Sequence, residues 1–408
     1  MSKKLLAVAI AAVLVPAAAM AEDSNVTVYG RIDYGFLTRS GNDGAGSKAG
    51  IKDRKNEFTD GIAGGNRIGF KGSEALGNGL KAIFELEFGF SGDSENVGNA
   101  KEGKGIGFNR HTWVGLETPY GTVLGGRVDG ARYSFTGQYD PFKNQTVGNA
   151  ASVFGLTSGL GQADRADNAI VYISPEVVPG LKFLGAYTKS LLTQEGQGFL
   201  GVAPGVGTDI DTGDTPLYAV AAMYNNGPIS LTLDYENLQL KNGGVSGGDL
   251  EFNIWVAGAS YDFGFAKISG YYENTRGDSH ASRNIDPLAG NVKGTIGGIA
   301  ATTYKNLSSD GEGWFIGATV PVTANIKVLA SYVQGSDDRA SNRDIKKVAV
   351  GAEYAFSKRT YLYATWAKMD VDSGVAAGIT TAGRTSAAPS STGAYGDTGF
   401  NLGVAHTF

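Results

Sequence analysis

The segment that decides the fold is the last one, Gly399-Phe400-Asn401-Leu402-Gly403-Val404-Ala405-His406-Thr407-Phe408. Alternate residues from Phe400 to Phe408 are mostly large and apolar, whereas those from Asn401 to Thr407 are small or polar. Since successive side chains of a strand point to opposite faces, this pattern predicts a strand between an apolar environment and water. A soluble protein rarely ends on an exposed apolar strand, because an unpaired edge invites aggregation, whereas a strand that closes a barrel has both edges paired.

The opposite end of the chain has the features of an export signal. Two lysines precede an apolar stretch over residues 5–15, and Ala19-Met20-Ala21 is a typical cleavage sequence. We therefore expect residues 1–21 to be a signal peptide and residues 22–408 to be one transmembrane β-barrel domain. The alternative, a membrane anchor, is disfavoured because the apolar stretch is shorter than the roughly 20 residues of a spanning helix.

The composition favours a barrel and argues against several other classes of protein. The chain contains 62 glycines, 19 phenylalanines and 19 tyrosines, which suit turns and membrane interfaces. It contains no cysteine, which excludes disulfides, thiolate nucleophiles and cysteine-ligated metals. The formal net charge is −5, so nothing indicates a nucleic-acid partner.

Period-2 alternation recurs along the mature chain and predicts sixteen strands. They cover residues 25–38, 65–73, 79–91, 108–117, 120–127, 167–175, 180–189, 215–225, 228–240, 249–262, 264–275, 312–321, 323–335, 344–356, 358–370 and 397–408. Charged residues fall mainly on one parity, as expected where the other parity faces lipid, since a mid-depth lysine or arginine on the lipid face costs about 2–4 kcal/mol.

The gaps between these strands alternate between short turns and long loops, such as 39–64 and 128–166. An even number of strands with this alternation is typical of an outer-membrane barrel with short periplasmic turns and long external loops. The predicted fold is therefore an all-β, 16-stranded antiparallel transmembrane barrel in the bacterial outer membrane. The alternative is a soluble β-sandwich or β-helix, but no fixed repeat is visible and a sandwich does not require such regular gaps.

Three predicted strands have an unclear pattern. Segment 215–225 is apolar on both faces, 249–262 changes parity near Trp255, and 358–370 is ambiguous. A β-bulge or a subunit contact would explain each of them.

Catalysis has little support in the sequence. The histidines are His111, His280 and His406, and no nucleophile motif or metal-binding spacing accompanies them. We expect no enzyme activity, no cofactor and no metal.

Charged residues near the predicted lumen are more informative. Arg31, Arg67 and Arg110 belong to predicted strands, and Arg165 immediately precedes one. The segment 128–166 is long for an irregular loop and carries several acidic and aromatic residues, and such loops are commonly functional. If this loop folds into the lumen, arginines on the wall and aspartates on the loop face each other across a narrow aqueous gap and bias which ions pass. The alternative is that these are ordinary solvated charges of the lumen.

Several of these segments resemble the Gram-negative general porins, most closely the neisserial and β-proteobacterial group. The motifs that carry the resemblance are Val26-Thr27-Val28-Tyr29-Gly30-Arg31-Ile32-Asp33, Asn66-Arg67-Ile68-Gly69-Phe70-Lys71-Gly72, Gly79-Leu80-Lys81-Ala82-Ile83-Phe84-Glu85, Arg110-His111-Thr112-Trp113-Val114-Gly115-Leu116, Asp167-Asn168-Ala169-Ile170-Val171-Tyr172 and the terminal strand. The resemblance implies a homotrimer of 16-stranded barrels with the third external loop inside the pore.

The resemblance also implies roles for single residues. Arg67, Arg110 and Arg165 match a basic ladder of the pore constriction, to which we add Arg31, and Asp140 is the candidate acid of the loop. Phe408 matches a terminal aromatic residue that the barrel assembly machinery reads.

The predicted function is general diffusion of small hydrophilic solutes and ions through a channel in outer-membrane lipid, with an Arg/Asp constriction and a weak anion preference. The alternatives are a substrate-specific channel and a surface-binding or conduit barrel that acts through its long loops.

Overall fold

The architecture is that of a closed barrel, seen in a computed structural model that describes residues 25–41, 54–92, 110–158, 165–189, 191, 216–240, 250–277, 295–296, 299–300, 310–338, 344–371, 378–381 and 396–408. The strands are β1 (Asn25–Ser40), β2 (Arg54–Asp60), β3 (Arg67–Gly77), β4 (Leu80–Gly89), β5 (Thr112–Thr118), β6 (Gly121–Asp129), β7 (Arg165–Ile173), β8 (Leu181–Thr188), β9 (Leu217–Asn226), β10 (Ile229–Leu240), β11 (Leu250–Asp262), β12 (Lys267–Gly277), β13 (Thr295–Ile296), β14 (Ile299–Ala300), β15 (Asp310–Pro321), β16 (Ile326–Asp337), β17 (Ile345–Ala355), β18 (Thr360–Val371) and β19 (Thr398–Thr407). Two helices, α1 (Ala131–Tyr139) and α2 (Ala151–Ser158), lie between β6 and β7. The predicted signal peptide, residues 1–21, lies outside the described residues.

All strands except β13 and β14 form one sheet, and β1 pairs antiparallel with β19 to close it. Both β2 and β3 pair with β1, so they are two halves of one wall strand and the 17-stranded sheet has sixteen positions. The predicted sixteen-stranded antiparallel barrel is confirmed. No described helix has the length and apolar character needed to cross a membrane.

The predicted loop over residues 39–64 is wrong in part, because residues 54–60 form β2. This strand reads Arg54-Lys55-Asn56-Glu57-Phe58-Thr59-Asp60, in which only Phe58 is a large apolar residue. The Phe58 ring packs at a tilt against the Phe36 ring of β1, with ring centroids 5.4 Å apart. A strand with so few apolar side chains lacks the contrast between faces by which a strand is recognised in a sequence.

The outer face of the wall is apolar, as the alternation predicts. In β9, Tyr218 and Val220 are exposed, whereas Leu217 and Ala219 point inward and are buried. The short turns also lie where predicted. Gly227, between β9 and β10, has a positive φ of 56° that a β-carbon would strain, so a glycine suits this tight connection.

The segment that carries α1 and α2, residues 130–158, is folded into the barrel and is called the internal loop. The Tyr139 hydroxyl donates to Thr232 Oγ1 at 2.8 Å, and the Val147 amide donates to Asn401 Oδ1 at 3.1 Å. On the third side, Lys347 Nζ donates to the Asn149 carbonyl at 2.6 Å. These partners are on β10, β19 and β17, so the loop spans the lumen and narrows it, which confirms the predicted insertion.

The internal loop explains two of the ambiguous strands. Helix α1 lies against β10, β11 and β12, and the inward residues Phe252, Ile254 and Val256 of β11 are buried beneath it. At Gly258 a β-carbon would overlap the Tyr139 ring, so the helix approaches the wall closely there. The second apolar face of β11 therefore contacts the loop inside the barrel, and the inward Leu217 and Ala219 of β9 line a common cavity with Phe135 of α1. Neither a bulge nor a subunit contact is needed to explain the two strands.

Candidate functional site

Beside the internal loop the lumen contains a cavity of about 350 Å³ that brings together the four predicted arginines. We call it the basic cavity. Arg31, Arg67, Arg110 and Arg165 all line it, together with Tyr133 of α1. Arg31 belongs to β1 and Arg67 to β3, whereas Arg110 precedes β5 and Arg165 begins β7. Their side chains point inward from this part of the wall and meet where the internal loop narrows the lumen.

Two of these arginines share one carboxylate. Arg110 and Arg67 both form ion pairs with Glu87 of β4, the latter with Arg67 Nε 3.5 Å from Glu87 Oε2. Glu87 is held by the backbone as well, since its amide donates to the His111 carbonyl at 2.7 Å and its carbonyl accepts from the Arg110 amide at 3.1 Å. Two guanidinium groups against a single buried carboxylate leave one net positive charge at this wall.

Arg31 is positioned by neighbours on both sides. Its Nη2 donates to the Tyr361 hydroxyl at 2.7 Å and lies 3.4 Å from Asp33 Oδ2. Asp33 is buried and also accepts from the Ala63 amide at 2.7 Å and from the Tyr363 hydroxyl at 2.5 Å. Asp33 therefore forms an ion pair with Arg31 and, through the Ala63 amide, also holds the segment between β2 and β3 against β1.

His111, which was not among the predicted site residues, adds a further cation to the lining of the basic cavity. Its Nδ1 lies 2.8 Å from Glu85 Oε1 and its Nε2 lies 2.8 Å from Asp129 Oδ1. Carboxylates only accept hydrogen bonds, so both ring nitrogens must donate, which makes His111 an imidazolium. The sequence does contain a signal that His111 faces the lumen, because His111 lies two residues before Trp113 and therefore on the same inward face. On the other side of Asp129, Arg165 Nε lies 3.7 Å from the same Oδ1.

Three of these side chains come close enough to suggest a metal site. Glu85, Glu87 and His111 offer potential ligand atoms within 4.8 Å of one another. However, the Tyr29 hydroxyl donates to Glu85 Oε1 at 2.5 Å and to Glu87 Oε2 at 3.0 Å, and Arg110 is paired with Glu87. The cluster is therefore already an ion-pair network, and a metal would have to displace several of its donors.

The position of Asp140 differs from the prediction that it faces the lumen arginines. It is buried inside the internal loop, where its carboxylate accepts from the amides of Phe142, Asn144 and Ala150 at 2.9, 3.1 and 3.0 Å. Burial raises the pKa of Asp140 to about 6, although these backbone donors act in the opposite direction. An aspartate that follows a helix and precedes a turn is well suited to accept hydrogen bonds from free backbone amides. Because Asp140 does so here, its carboxylate points into the loop and not into the aqueous passage.

A second cavity of about 390 Å³ shares Arg31 and Thr407 with the basic cavity. Its charged lining includes Lys143 at the tip of the internal loop, and Lys327, whose Nζ lies 2.8 Å from Glu353 Oε2. Burial, together with the nearby positive charge of Lys327, lowers the pKa of Lys143.

Taken together, the two cavities have a strongly basic lining. Among the residues that the structure describes, eight lysines and arginines line them, against three acidic side chains. The basic residues are Arg31, Arg67, Arg110, Lys143, Arg165, Lys327, Lys358 and Arg359, and the acids are Glu87, Asp129 and Glu353. The four arginines were predicted from the sequence, whereas Lys143, Lys327, Lys358 and Arg359 belong to a loop, a strand and a turn whose sequences give no signal of a shared cavity.

Phe408, which the sequence predicts to be an assembly signal, lies at the seam of the barrel, where β1 pairs with the C-terminal strand β19. Its amide donates to the Gly30 carbonyl at 3.1 Å, and the Gly30 amide donates to the Phe408 carbonyl at 3.0 Å. The Phe408 ring covers Gly30 so closely that a β-carbon there would overlap it.

Comparison with known proteins gives one consistent result. A sequence profile of the Gram-negative porins matches residues 7–374. An outer membrane porin protein of Bordetella pertussis is 29% identical over 379 residues, which cover 89% of this chain and 93% of the relative. The major outer membrane protein P.IB of Neisseria gonorrhoeae is 26% identical over 363 residues, covering 88% and 91%.

Solved structures share the fold. An anion-selective porin from Comamonas acidovorans superposes with a TM-score of 0.69 at 24% identity, over 95% of this chain and all of that one. The trimer form of OmpT of Vibrio cholerae gives a TM-score of 0.63 at 15% identity, over 95% and 100%.

Proposed function

Since this chain belongs to the Gram-negative porin family, we propose that its barrel conducts small hydrophilic solutes and ions passively and prefers anions. It is a protein of the bacterial outer membrane, and its relatives are channels rather than enzymes. We assign it no catalytic activity and no cofactor.

The observation that carries the anion preference is the charge of the lumen at its narrow part. Arg67 and Arg110 share Glu87, and among the described residues eight lysines and arginines line the two cavities against three acidic side chains. Low-dielectric walls focus the field of such an excess on the passage and raise the local concentration of anions. The constriction we propose consists of Arg31, Arg67, Arg110, Arg165 and the additional cations of the second cavity. Asp140 belongs to its support rather than to its charged surface.

We further propose that the protein is exported with residues 1–21 as its signal peptide, that Phe408 is read by the barrel assembly machinery, and that three barrels associate in outer-membrane lipid. The pairing of Phe408 with Gly30 supports a role of the last residue in closing the seam. A homotrimer would place part of the exposed apolar outer wall between subunits.

The test is the reversal potential of the purified protein in a planar bilayer under a potassium chloride gradient. We expect wild type to prefer chloride and Arg110→Ala to lower the chloride-to-potassium permeability ratio. One unit charge at contact distance in water is worth about 1 kcal/mol before salt screening, so we expect a change of about two- to fivefold. The loss of Arg110 also leaves Glu87 less compensated, which acts in the same direction.

Arg276→Ala is the matched control. Arg276 is an exposed arginine of β12 that pairs with Asp310, with 3.2 Å between Nη1 and Oδ1, and lines neither cavity. A cation preference of the wild type, or equal effects of the two substitutions, would refute the proposal. Saturating block by one solute class would instead favour a substrate-specific channel, and the absence of any conductance would favour a surface-binding barrel.

A further inference from the structure

The lumen contains an apolar crevice that passive flow of hydrophilic solutes does not require. The crevice has a volume of about 170 Å³ and lies between α1 and the inner faces of β6, β7, β8 and β9. Its lining is almost entirely aliphatic or aromatic and includes Phe135, Val171, Leu184 and Leu217.

Small residues line the crevice on both the helix side and the wall side. Ala131 and Ser134 of the helix face Ala169 and Ala219 of the wall, and all four line the crevice. Deeper residues such as Ala219 are buried, whereas Leu124, Ile173, Leu184 and Ala186 are only partly buried. A solute in the lumen can therefore reach this apolar surface, and transfer of a ring from water into it would be favourable.

The crevice adjoins the basic cavity. Asp129 lines both, and Arg165, which lines the basic cavity, directly precedes Ala166 of the crevice in β7. The Asp129 carboxylate is engaged by His111 at 2.8 Å and by Arg165 at 3.7 Å, so its charge at the junction is compensated. An apolar surface and a group of guanidinium ions thus lie next to each other within one passage.

We propose that this junction is a binding site for organic anions that carry a flat apolar ring, such as aromatic monocarboxylates. The ring lies in the crevice and the carboxylate points into the basic cavity, where guanidinium groups are the natural partners of carboxylates. The size is suitable, since an apolar cavity of about 150 Å³ holds benzene. The inference rests on the proposed function, because the solute must enter the lumen to reach the site.

The experiment measures the mean conductance of the purified protein in a planar bilayer in potassium chloride, while sodium benzoate is added. Sodium acetate has the charge without the ring, and benzamide has the ring without the charge. We expect benzoate to reduce the chloride current with a half-blocking concentration about tenfold lower than that of either comparison solute.

Filling the crevice with a larger side chain should remove the difference in half-blocking concentration between benzoate and the comparison solutes. Ala186→Leu places a larger side chain at a partly open position of the crevice, and Ala219→Leu does so on the neighbouring strand, so one variant suffices if the other fails to fold. The matched control is Ala222→Leu in β9, whose side chain is on the lipid face, the opposite face from Ala219. We expect block by benzoate to fall to the level of acetate in the crevice variants and to remain unchanged in the control.

Equal block by benzoate and acetate in wild type would overturn the proposal, as would equal responses of all three variants to benzoate. Failure of the proposed function is separable, because it would appear as cation preference in potassium chloride alone, before any organic anion is added. Normal chloride preference without block by benzoate would refute only the crevice site.

Discussion

Replacing Asp140 by alanine is expected to release the internal loop from its folded position in the lumen. Asp140 accepts three backbone hydrogen bonds, from Phe142, Asn144 and Ala150, at 2.9–3.1 Å. A buried donor without a partner costs about 1–3 kcal/mol, so three would cost about 3–9 kcal/mol if the loop stayed in place. Even the lower value shifts the equilibrium between closed and open loop toward the open form by about two orders of magnitude relative to wild type, since 1.4 kcal/mol corresponds to tenfold.

The barrel itself should survive this substitution, because the hydrogen bonds of Asp140 within the described part of the chain all join it to residues of the internal loop. We expect higher single-channel conductance and faster entry of larger sugars in liposome swelling. The matched control is Asp262→Ala, which removes a carboxylate that accepts from the Gly264 amide at 2.8 Å in an exposed turn. Unchanged conductance and an unchanged sugar cut-off in Asp140→Ala would refute the view that this carboxylate holds the loop.

The pH dependence gives a second measurement on the same residue. Burial raises the pKa of Asp140 to about 6, above the value of about 3.9 in an unfolded chain. A carboxyl group with a raised pKa stabilises the folded loop most below pH 4, and this contribution is lost as the pH rises through about 6. The positive charge of Lys347 opposes this rise in the pKa. We therefore expect fewer opening events at pH 4.5 than at pH 7.5 in wild type, and no such difference in Asp140→Asn.

Two further predictions concern the wall. Lys347→Met keeps the stem but removes the donor to the Asn149 carbonyl, at 2.6 Å, so the loop should lose about 1.5–3 kcal/mol of attachment and the open-channel current should become noisier; a current as quiet as that of wild type would contradict this. Deletion of Phe408 should lower the yield of heat-resistant barrel in cells more than in detergent refolding, as judged by gel mobility; equal losses in both would show that the residue only closes the seam through Gly30.

The alternation of residues predicts the wall well, because lipid imposes the same demand on every second residue of each strand. The pattern reports only a contrast between two faces, however, and the contrast disappears where the loop covers the wall from inside. In β11, which α1 contacts, the inward residues Phe252, Ile254 and Val256 are as apolar as the outward Trp255. A strand that is apolar on both faces, within a barrel that is otherwise polar inside, thus marks the surface against which an internal element packs.

The charged site shows the opposite limit. The alternation of residues places Arg67 and Arg110 in the lumen, but it does not show which acidic side chains form ion pairs with them. Asp140 was the natural candidate on the loop, yet the turn after α1 needs an acceptor for three amides and uses that carboxylate. Lys143, three residues later, lines the second cavity instead. Such assignments depend on the local path of the loop, which period-2 alternation does not encode.

Net charge is a poor guide to what a channel conducts. The chain has a formal net charge of −5, yet eight basic residues and three acidic ones line its two lumen cavities. Acidic residues such as Asp310 and Glu312 instead lie at the beginning of β15 and line neither cavity. At physiological salt the screening length is about 8 Å, so an ion in the narrow passage responds mainly to the charges that line it. Placement of the acids therefore matters more for selectivity than their number, and substitutions outside the lumen should change the isoelectric point without changing the reversal potential.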